Sequence, residues 1–333
     1  MNKIKVRGIL KIKVMLNYYR LPQDYLKFTG KDKLDLIHRL STNDVNSMDK
    51  YHIIKTILTT DKGRFVDLLT LFNFGDFIFA SSSKDTANKV LGHLDKYTIM
   101  DDFHTENMSG THETIIFIGD EADKFIKEAF GFILIEQNVF KIYGEDGKDS
   151  ILVKNDYPLG GAILIYSVTD KDYYENKIFN RDISQKYGLT ELSDTDYQTL
   201  RILNGIPEQG KEMTEETNPL ECALNKYVSL SKGCYIGQEV IARLDTYDKV
   251  NKHIVGIKAR SELLGEHENT IKTIPDENEC GFVTSYANSK KYGHIGLGFV
   301  KTTFLNFEKD YKITTKNGSI GCKLVKLPFT NLN

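Results

Sequence analysis

The eight residues that begin at Lys232 are the strongest candidates for chemistry in this sequence. They read Lys-Gly-Cys-Tyr-Ile-Gly-Gln-Glu, so two glycines bracket a cysteine and an aromatic residue. We expect the backbone to bend, or to approach another group closely, at Gly233 and Gly237. A helix is predicted to start near Gly237 or Gln238, with Cys234 just before its positive end and Lys232 two residues away. Both influences favour the thiolate, the reactive and metal-binding form of cysteine; a buried structural cysteine is the alternative.

The other cysteines and the histidines form no recognisable metal-binding pattern. Cys222, Cys280 and Cys322 make neither a Cys-x-x-Cys pair nor a zinc-ligand spacing, and we expect them to have packing roles. The eight histidines show no metal spacing either. One cysteine cannot hold an iron–sulfur cluster alone. We therefore predict no metal site within the chain, and a cluster at Cys234 would need ligands from a partner or a second copy.

Composition limits the classes of partner. The chain has 333 residues, of which 40% are hydrophobic and 27% charged, which predicts a globular protein of two or three domains. Its 44 basic and 46 acidic residues give a formal net charge of −2, so there is no bulk reason to expect nucleic-acid binding. No apolar run approaches the roughly 20 residues needed to cross a bilayer. We predict neither a nucleic-acid nor a membrane partner.

Cysteine use and the N-terminus bear on location. A chain of this size needs no disulfides, so a reducing compartment is expected: the cytoplasm, with an organellar matrix as the alternative. The first twenty residues are basic and contain no acid, but they lack the apolar block of a signal peptide and the serine richness of a transit peptide. We interpret them as an extended edge segment, or as a tail upstream of a start at Met15.

The pattern up to residue 250 predicts an α+β scaffold for the motif. A strand–helix–strand–strand–helix–strand order occurs roughly twice, which suggests ferredoxin-like units at roughly 20–110 and 111–250. Strands are predicted at 25–29, 52–59, 64–72, 77–80, 114–118, 139–143, 151–153 and 162–168. Helices are predicted at 31–40, from 83 or 85 to 97, at 120–130, at 170–187 and at 194–204, the last capped by Asp194, and a further helix opens at Asn218-Pro219.

The remaining residues, 251–333, have a different texture. Short strands are separated by turn residues every ten positions or so, which predicts a small antiparallel barrel or sandwich. A linker is expected at about 247–251. The chain is therefore predicted to end in a separate all-β domain.

The motif also carries a resemblance. Lys-Gly-Cys-Tyr-Ile-Gly-Gln-Glu resembles the signature of the YgfZ-type folate-binding proteins, which assist maturation of iron–sulfur enzymes and are relatives of the glycine-cleavage aminomethyltransferase, or T-protein. Segments 26–32, 40–45 and 59–64 follow the same family's N-terminal pattern, so the similarity extends over most of residues 20–260. It implies tetrahydrofolate as ligand, a T-protein-like core of ferredoxin-like folate-binding units and a C-terminal antiparallel β-barrel.

The resemblance also nominates site residues. Asp67 matches an acidic position near the reactive nitrogens of the folate, and a carboxylate between apolar strand neighbours is unusual unless it faces a cavity or water; an alternating surface residue is the alternative. Arg201 matches the arginine that starts the family's central motif. Glu221 matches a position just inside a helix, where it either contacts ligand or stabilises the helix end. Leu203 is a departure, because aminomethyltransferases carry there a glutamate that grips the pterin.

Two residues near the motif complete the candidate set. Arg243 is a candidate to receive a folate carboxylate by bidentate pairing, or it pairs with Glu239 four residues earlier on the same helix. Tyr235 offers a stacking face, or it is a core aromatic with a wet hydroxyl.

Three functional hypotheses follow. The first is a tetrahydrofolate-binding accessory protein for iron–sulfur cluster assembly or repair, with Cys234 as the working thiol and assembly or client proteins as partners. The second is an aminomethyltransferase, in which Asp67 orients or protonates the folate nitrogen and a lipoyl-bearing carrier delivers the aminomethyl group. The third is an interaction scaffold that no longer binds folate. Leu203 and the cysteine motif favour the first.

Overall fold

The computed structural model describes residues 16–131, 133–134, 138–145, 147–155, 159–246, 249–262, 269–315 and 318–329. The basic N-terminal segment up to residue 15, and residues 247–248 of the predicted linker, lie outside the described residues. None of the helices described is long and apolar enough to cross a membrane.

The first α+β unit is a five-stranded antiparallel sheet with two helices on one face. Its elements follow strand β1 (Asn17–Leu21) in the order β2 (Gln23–Thr29), α1 (Lys33–Leu40), β3 (Ile53–Thr59), β4 (Phe65–Asn73), β5 (Ile78–Ser83), α2 (Ala87–Tyr97) and β6 (His104–Asn107). The strands are ordered β3-β4-β5-β2-β6. Apolar residues at helical spacing, such as Leu36 and Ile37 in α1 and Val90 and Leu94 in α2, pack on the sheet and form one core.

The second unit repeats this plan with β1 built into its sheet. Its elements are β7 (His112–Ile118), α3 (Ala122–Phe130), β8 (Phe140–Glu145), β9 (Lys148–Lys154), β10 (Ala162–Ser167), α4 (Lys171–Ile178), α5 (Arg181–Tyr187) and β11 (Thr190–Glu191). The sheet order is β11-β1-β7-β10-β9-β8. Its helix-covered face is a second core, centred on Phe117, Phe125 and Tyr174.

The two sheets meet through their other faces. Tyr25, Phe72 and Phe79 from the first sheet pack against Phe140 and Ile165 from the second. Each sheet is therefore covered by helices on one side and partly by the other sheet on the second side. This arrangement creates a space between the sheets, which is described below.

The last α+β elements and the barrel complete the chain. Helix α6 (Asp194–Asn204) and helix α7 (Gln238–Thr246) precede six strands, β12 (Lys252–Ala259), β13 (Thr270–Thr273), β14 (Glu279–Ser289), β15 (Gly293–Lys301), β16 (Asp310–Thr315) and β17 (Gly318–Val325). These strands form a closed antiparallel barrel. Cys280 and Cys322 are fully buried in its interior, consistent with a packing role. The predicted fold class, α+β units followed by a β-barrel, is confirmed.

Three predicted helix boundaries were wrong. The segment 170–187 is two helices, because the Asn180 side chain accepts hydrogen bonds from the next N–H groups and starts α5. The N-cap of α6 is Ser193, whose Oγ accepts from the Asp196 N–H at 3.1 Å, rather than Asp194. No α-helix follows Asn218-Pro219: a first turn forms, but Ala223 has a left-handed φ of +56°, which ends it.

A buried ion pair joins α6 to the barrel. The guanidinium of Arg201 donates to the Glu212 carboxylate at 2.9 Å and to the Ser285 hydroxyl on β14 at 2.7 Å. Glu212 is fully buried, and its second oxygen accepts hydrogen bonds from the hydroxyls of Ser285 and Thr284. Every charge in this contact has a partner, which is the condition under which a buried pair is tolerated.

We predict that Glu212→Gln destabilises the protein by about 3 kcal/mol, because it leaves the Arg201 charge buried without its counter-ion. Glu208→Gln is the matched control: Glu208 also lies 3.1 Å from Arg201, but its side chain is 37% exposed, so its loss costs under about 1 kcal/mol. Urea unfolding of the two variants measures the difference. Equal effects from both substitutions would contradict a special role for the buried carboxylate.

Candidate functional site

The motif loop, residues 230–237, is bound along one side by the first α+β unit. The Ile236 N–H donates to the carbonyl of Arg39 at the end of α1, and the Ile236 carbonyl accepts from Thr59 Oγ1 at 2.8 Å. Upstream, the Ser229 N–H donates to the Thr42 carbonyl. These contacts hold the loop across the end of α1 and the start of the β3–β4 hairpin.

The two glycines of the motif have different roles. Gly237 has φ of +80°, and a Cβ there would lie 2.5 Å from the Thr60 carbonyl oxygen and 2.9 Å from Gly63 Cα. A side chain is excluded both by conformation and by the hairpin backbone. Gly233 has no positive φ, and only His38 Nε2, at 4.0 Å, lies near its Cβ position. The predicted close approach is therefore confirmed at Gly237 and not at Gly233.

Lys232 anchors the motif loop to the first unit. Its ammonium donates to the backbone carbonyls of His38, Ser41 and Asn43, at 2.5, 2.7 and 2.9 Å. Burial lowers the pKa of Lys232 to about 8. The effect of Lys232 on the Cys234 thiol stays a prediction; the structure adds that the ammonium holds the motif loop to the end of α1 and the segment after it.

Cys234 is exposed, whereas Cys222, Cys280 and Cys322 are buried. It lies four residues before the start of α7. The motif therefore presents one thiol to solvent on a loop that is anchored on both sides. Among the described residues, no group of three or more His, Cys, Asp or Glu side chains is placed to hold a metal ion.

Tyr235 and Arg243 flank this thiol differently. Tyr235 is buried against Leu220 and Ile241, with its ring 4.8 Å from the Lys232 ammonium, and burial raises its pKa to about 12. It is the core aromatic of the two alternatives. Arg243 is exposed on α7, and within the described part of the chain it has no ion-pair partner, so the pair with Glu239 is not formed.

Asp67 is fully buried on the helix side of β4. Its carboxylate accepts hydrogen bonds from the N–H groups of Leu68 and Ser83 and from the hydroxyls of Ser83 and Thr86, all within 2.9 Å. Burial raises its pKa, against the opposing effect of the Ser83 and Thr86 hydrogen bonds. The expectation that this carboxylate faces a cavity or water is not met, since four donors inside the protein occupy it.

Glu221 is also buried, and its role resembles that of a loop anchor. It accepts a hydrogen bond from the Asn218 N–H at 3.1 Å and lies 3.6 Å from the Arg64 guanidinium. Burial raises its pKa, while Lys252 and Arg64 oppose the shift. Its backbone carbonyl accepts from the Ile254 N–H of β12, so this segment connects the first unit to the barrel.

A cavity of about 820 Å³ lies between the inner faces of the two sheets. Thr70 and Phe72 line it from β4, where strand alternation puts them on the face opposite Asp67. Val153 and Ile165 line it from the second sheet, and Tyr227 closes one side. None of the six residues nominated from the sequence is in its lining.

The charged groups of the cavity wall are mostly basic. Lys55, Lys154 and Lys226 line it, and Asp44 is the acidic residue among the lining residues described. The neutral polar groups include Gln23, Asn43, Ser81 and Asn155. Such a wall suits an anionic ligand that also has hydrogen-bonding edges.

Sequence reasoning missed these lining residues, although one signal was available. Thr70 is a polar residue within the apolar run of β4, as Asp67 is, and it is Thr70 that faces the cavity. The pairing of β3 with β4 shifts register between Leu58 and Thr59. On β4 this bulge lies just before Asp67, and therefore also before Thr70. Only the register of that bulged strand decides which of the two polar residues points inward.

The cavity and the motif loop share one segment of chain. Asn43 and Asp44 line the cavity, and the carbonyl of Asn43 is one of the three oxygens that bind Lys232. Thr42 Oγ1 donates to the carbonyl of Tyr227, another lining residue. The segment 41–44 therefore separates the cavity from the loop that carries Cys234.

We predict that Gly237→Ala weakens the protein by at least about 2 kcal/mol, because the new Cβ collides with backbone and requires a left-handed residue. Gly233→Ala, in the same loop but without either constraint, should change stability by under about 1 kcal/mol. Thermal unfolding of both variants tests this. A Gly233→Ala effect as large as that of Gly237→Ala would contradict the assigned difference.

Comparison with known proteins agrees with this architecture. The family model described as the glycine cleavage T-protein C-terminal barrel domain matches residues 252–331. A chloroplastic protein of Arabidopsis thaliana, named as a transferase, is 25% identical over 296 residues, a match covering 83% of this chain and 63% of that protein's length. The aminomethyltransferase of Flavobacterium psychrophilum is 24% identical over 310 residues, covering 90% of this chain and 83% of the relative.

A solved structure extends the agreement to the whole fold. Glycine cleavage system aminomethyltransferase T from Bartonella henselae superposes with a TM-score of 0.81, covering 94% of this chain and 86% of that chain at 14% identity. At this identity the likeness concerns the fold. Together with the barrel match and the aminomethyltransferase relatives, it shows that the chain is similar to glycine cleavage T-proteins in its fold and in its C-terminal barrel.

Proposed function

We propose that this protein is a tetrahydrofolate-binding accessory factor for iron–sulfur cluster assembly or repair, similar to the YgfZ-type relatives of the glycine cleavage T-proteins. The observation that carries the proposal is the 820 Å³ cavity between the two sheets, with its predominantly basic wall. Ligand sites of this kind commonly measure about 300–1,000 Å³. The exposed Cys234, on a loop anchored to the cavity wall, supplies the thiol.

The lining residues fit a folate. Phe72 and Tyr227 give flat apolar surface for a ring system, and Asp44 is a carboxylate for the amino and amide edge of a pterin. Lys55 and Lys226 are cations for the carboxylates of the glutamate tail. When bound, tetrahydrofolate supplies nitrogens that carry one-carbon units. The chain's own contribution is to bind the ligand and exclude water between the sheets.

The geometry gives less support to aminomethyl transfer. That reaction needs an acid near the reactive nitrogens, but the Asp67 carboxylate is turned toward α2 and is occupied by four donors. Leu203 is buried in the apolar cluster between α6 and the barrel, where it cannot hydrogen-bond a pterin. Arg201 is held by Glu212 and Ser285. Of the three groups expected for a transferase, Asp67 and Arg201 are therefore bound by residues of the protein itself, and Leu203 stands where a glutamate is expected.

The thiol gives the proposal its second part. Cys234 is accessible without any loop opening, and the buried contacts of Lys232 and Gly237 hold its loop in place. A single exposed thiolate can add one ligand to a cluster or reduce a partner's disulfide, while the partner supplies the other sulfurs. We therefore propose that iron–sulfur assembly or client proteins are the partners.

The second candidate function is that of an aminomethyltransferase. It is favoured by similarity to aminomethyltransferases over 90% of the chain. In that case a lipoyl-bearing carrier would be the partner, and activity would depend on an acid rather than on the thiol. The two candidates therefore differ in which residue they require.

Calorimetric titration with tetrahydrofolate tests the binding site. We expect the wild-type protein and Cys234→Ser to bind with the same affinity, and Thr70→Trp to bind at least about tenfold more weakly because the indole fills the cavity. Thr273→Trp, on barrel strand β13, is the control and should bind like the wild type. Absence of binding to the wild-type protein would leave the scaffold hypothesis.

An activity comparison separates the two functions. In cells depleted of this protein, we expect the specific activity of iron–sulfur enzymes to fall, and to be restored by the wild-type gene but not by Cys234→Ser. In a purified assay with aminomethyl-loaded lipoyl carrier, we expect no methylene-tetrahydrofolate above background. Carrier-dependent turnover that survives Cys234→Ser and is lost in Asp67→Asn would support the transferase instead.

A further inference from the structure

A second, smaller cavity also lies between the two sheets, and we call it the slot. Its volume is about 200 Å³, and none of the six residues nominated from the sequence lines it. Ile165 lines both the slot and the larger cavity. Phe79 lines the slot, Phe72 lines the larger cavity, and their ring centroids are 6.1 Å apart. One layer of packed side chains therefore separates the two spaces.

The walls of the slot are mainly apolar. On the side of the first sheet, Phe74 and Phe77 are stacked with centroids 4.7 Å apart and an interplanar angle of 9°, and Phe79 also lines the wall. On the side of the second sheet, the wall includes Ile142 and Ile151. Sheets packed face to face are about 10 Å apart, so a gap between their side chains admits a flat ring.

His112 supplies a hydrogen-bond acceptor to the slot. The Oγ1 of Thr111 lies 2.6 Å from the carbonyl oxygen of Met108 and 2.7 Å from Nδ1 of His112. Because a carbonyl oxygen can only accept, the threonine hydroxyl donates to it, and Nδ1 must carry the proton of its own contact with Oγ1. Burial lowers the pKa of His112, so the ring is neutral at pH 7. The nitrogen left for a ligand is Nε2, a lone-pair acceptor, and among the described residues none is hydrogen-bonded to it.

The charged groups at the slot do not call for an anionic ligand. Asp149 lines it from β9 and forms no hydrogen bond or ion pair with any described residue. Its carboxylate lies over Gly144, the residue paired with it on β8, where a Cβ would be 2.1 Å from Oδ1. Lys27 lies across the slot, 5.4 Å from the centroid of Phe77, and its ammonium is already 3.5 Å from the Glu106 carboxylate. The slot therefore offers acceptors on the second sheet and no cation without a counter-ion.

We propose that the slot is a second ligand site, which binds an uncharged planar heterocycle with N–H donors, the chemistry of a nucleobase. The ring lies between the phenylalanines of the first sheet and the isoleucines of the second, and its N–H groups donate to Nε2 of His112 and to the Asp149 carboxylate. A purely apolar ring would leave both acceptors without a donor. The volume is below the roughly 300–1,000 Å³ of sites for drug-sized ligands, so the ligand has one or two rings. This site is independent of the function proposed for the larger cavity.

Saturation-transfer NMR titration of the full-length protein with adenine tests the proposal. We expect saturable binding with a Kd of about 1 mM or tighter, as a ligand of this size can reach. Purine has the same ring system without the amino group, and it should bind at least about threefold more weakly because it has fewer donors. No saturable signal from adenine, or purine binding as tight as that of adenine, would overturn the proposal.

Two tryptophan substitutions distinguish the slot from the larger cavity. Ile142 is 36% exposed on the edge strand β8, so Ile142→Trp fills the slot without disturbing a buried core position. It should weaken adenine binding at least about tenfold and leave any binding of tetrahydrofolate unchanged. Thr70→Trp, which fills the larger cavity, should leave adenine binding unchanged. The reverse pattern would place adenine in the larger cavity and overturn the proposal, whereas a failure of tetrahydrofolate to bind refutes only the ligand proposed for that cavity.

His112→Phe tests the acceptor. It keeps an aromatic ring against Tyr25 and Phe79, whose centroids lie 5.4 and 4.8 Å from that of the imidazole, and it removes Nε2. We expect adenine to bind at least about fivefold more weakly, whereas His294→Phe on barrel strand β15 is the control and should match the wild type. Asp149→Asn, at an exposed position, is the second variant if His112→Phe does not fold, and it should weaken binding at least about threefold. Wild-type affinity in either folded variant would overturn the proposal.

Discussion

The arrangement of this molecule depends on keeping two buried cations paired. Arg201 is matched by Glu212 and Ser285, which fixes the barrel against α6, and Lys232 is matched by three backbone carbonyls, which fixes the motif loop against the first unit. A cation without such partners would be very costly in the interior. These two cations therefore fix the barrel and the motif loop relative to the sheets. The positive charge of the cavity wall comes from other residues, Lys55, Lys154 and Lys226.

Several residues nominated for ligand binding have structural roles in the folded protein. Asp67 ties β4 to β5 and the start of α2, Glu221 ties the segment before the motif to Arg64, and Tyr235 fills a small apolar cluster. The sequence nominates all three for ligand contact, yet each has partners inside the protein. Of the nominated residues, Cys234 and Arg243 remain exposed, and the cavity between the sheets is lined by other residues. This distribution is the reason why we propose thiol chemistry, with the cavity as the ligand site, rather than acid-assisted transfer.

Much of the fold could be predicted from the sequence because it depends on patterns of neighbouring residues. Alternating apolar residues and turn signals located the strands of the barrel and those of both units except β1, β6 and β11, and helical spacing located α1, α2, α3 and α6. The errors have local causes of another kind. The side chain of Asn180 caps a new helix, α5, within a segment that the sequence pattern predicts as one helix. The left-handed backbone of Ala223 ends the helix that Pro219 favours.

The sequence by itself determined the fold class and the presence of one distinctive cysteine between two glycines, whereas the structure showed which of those glycines is constrained. Only the tertiary structure decided which side of β4 Asp67 occupies, that Lys232 binds three backbone carbonyls of the first unit, and that His38 lies beside Gly233. The physical reason is that periodicity and backbone preference act between near neighbours in sequence. Hydrogen bonds of buried charged groups join residues nearly 200 positions apart, as the Lys232 ammonium and the His38 carbonyl show. They depend on strand register and on how the units pack.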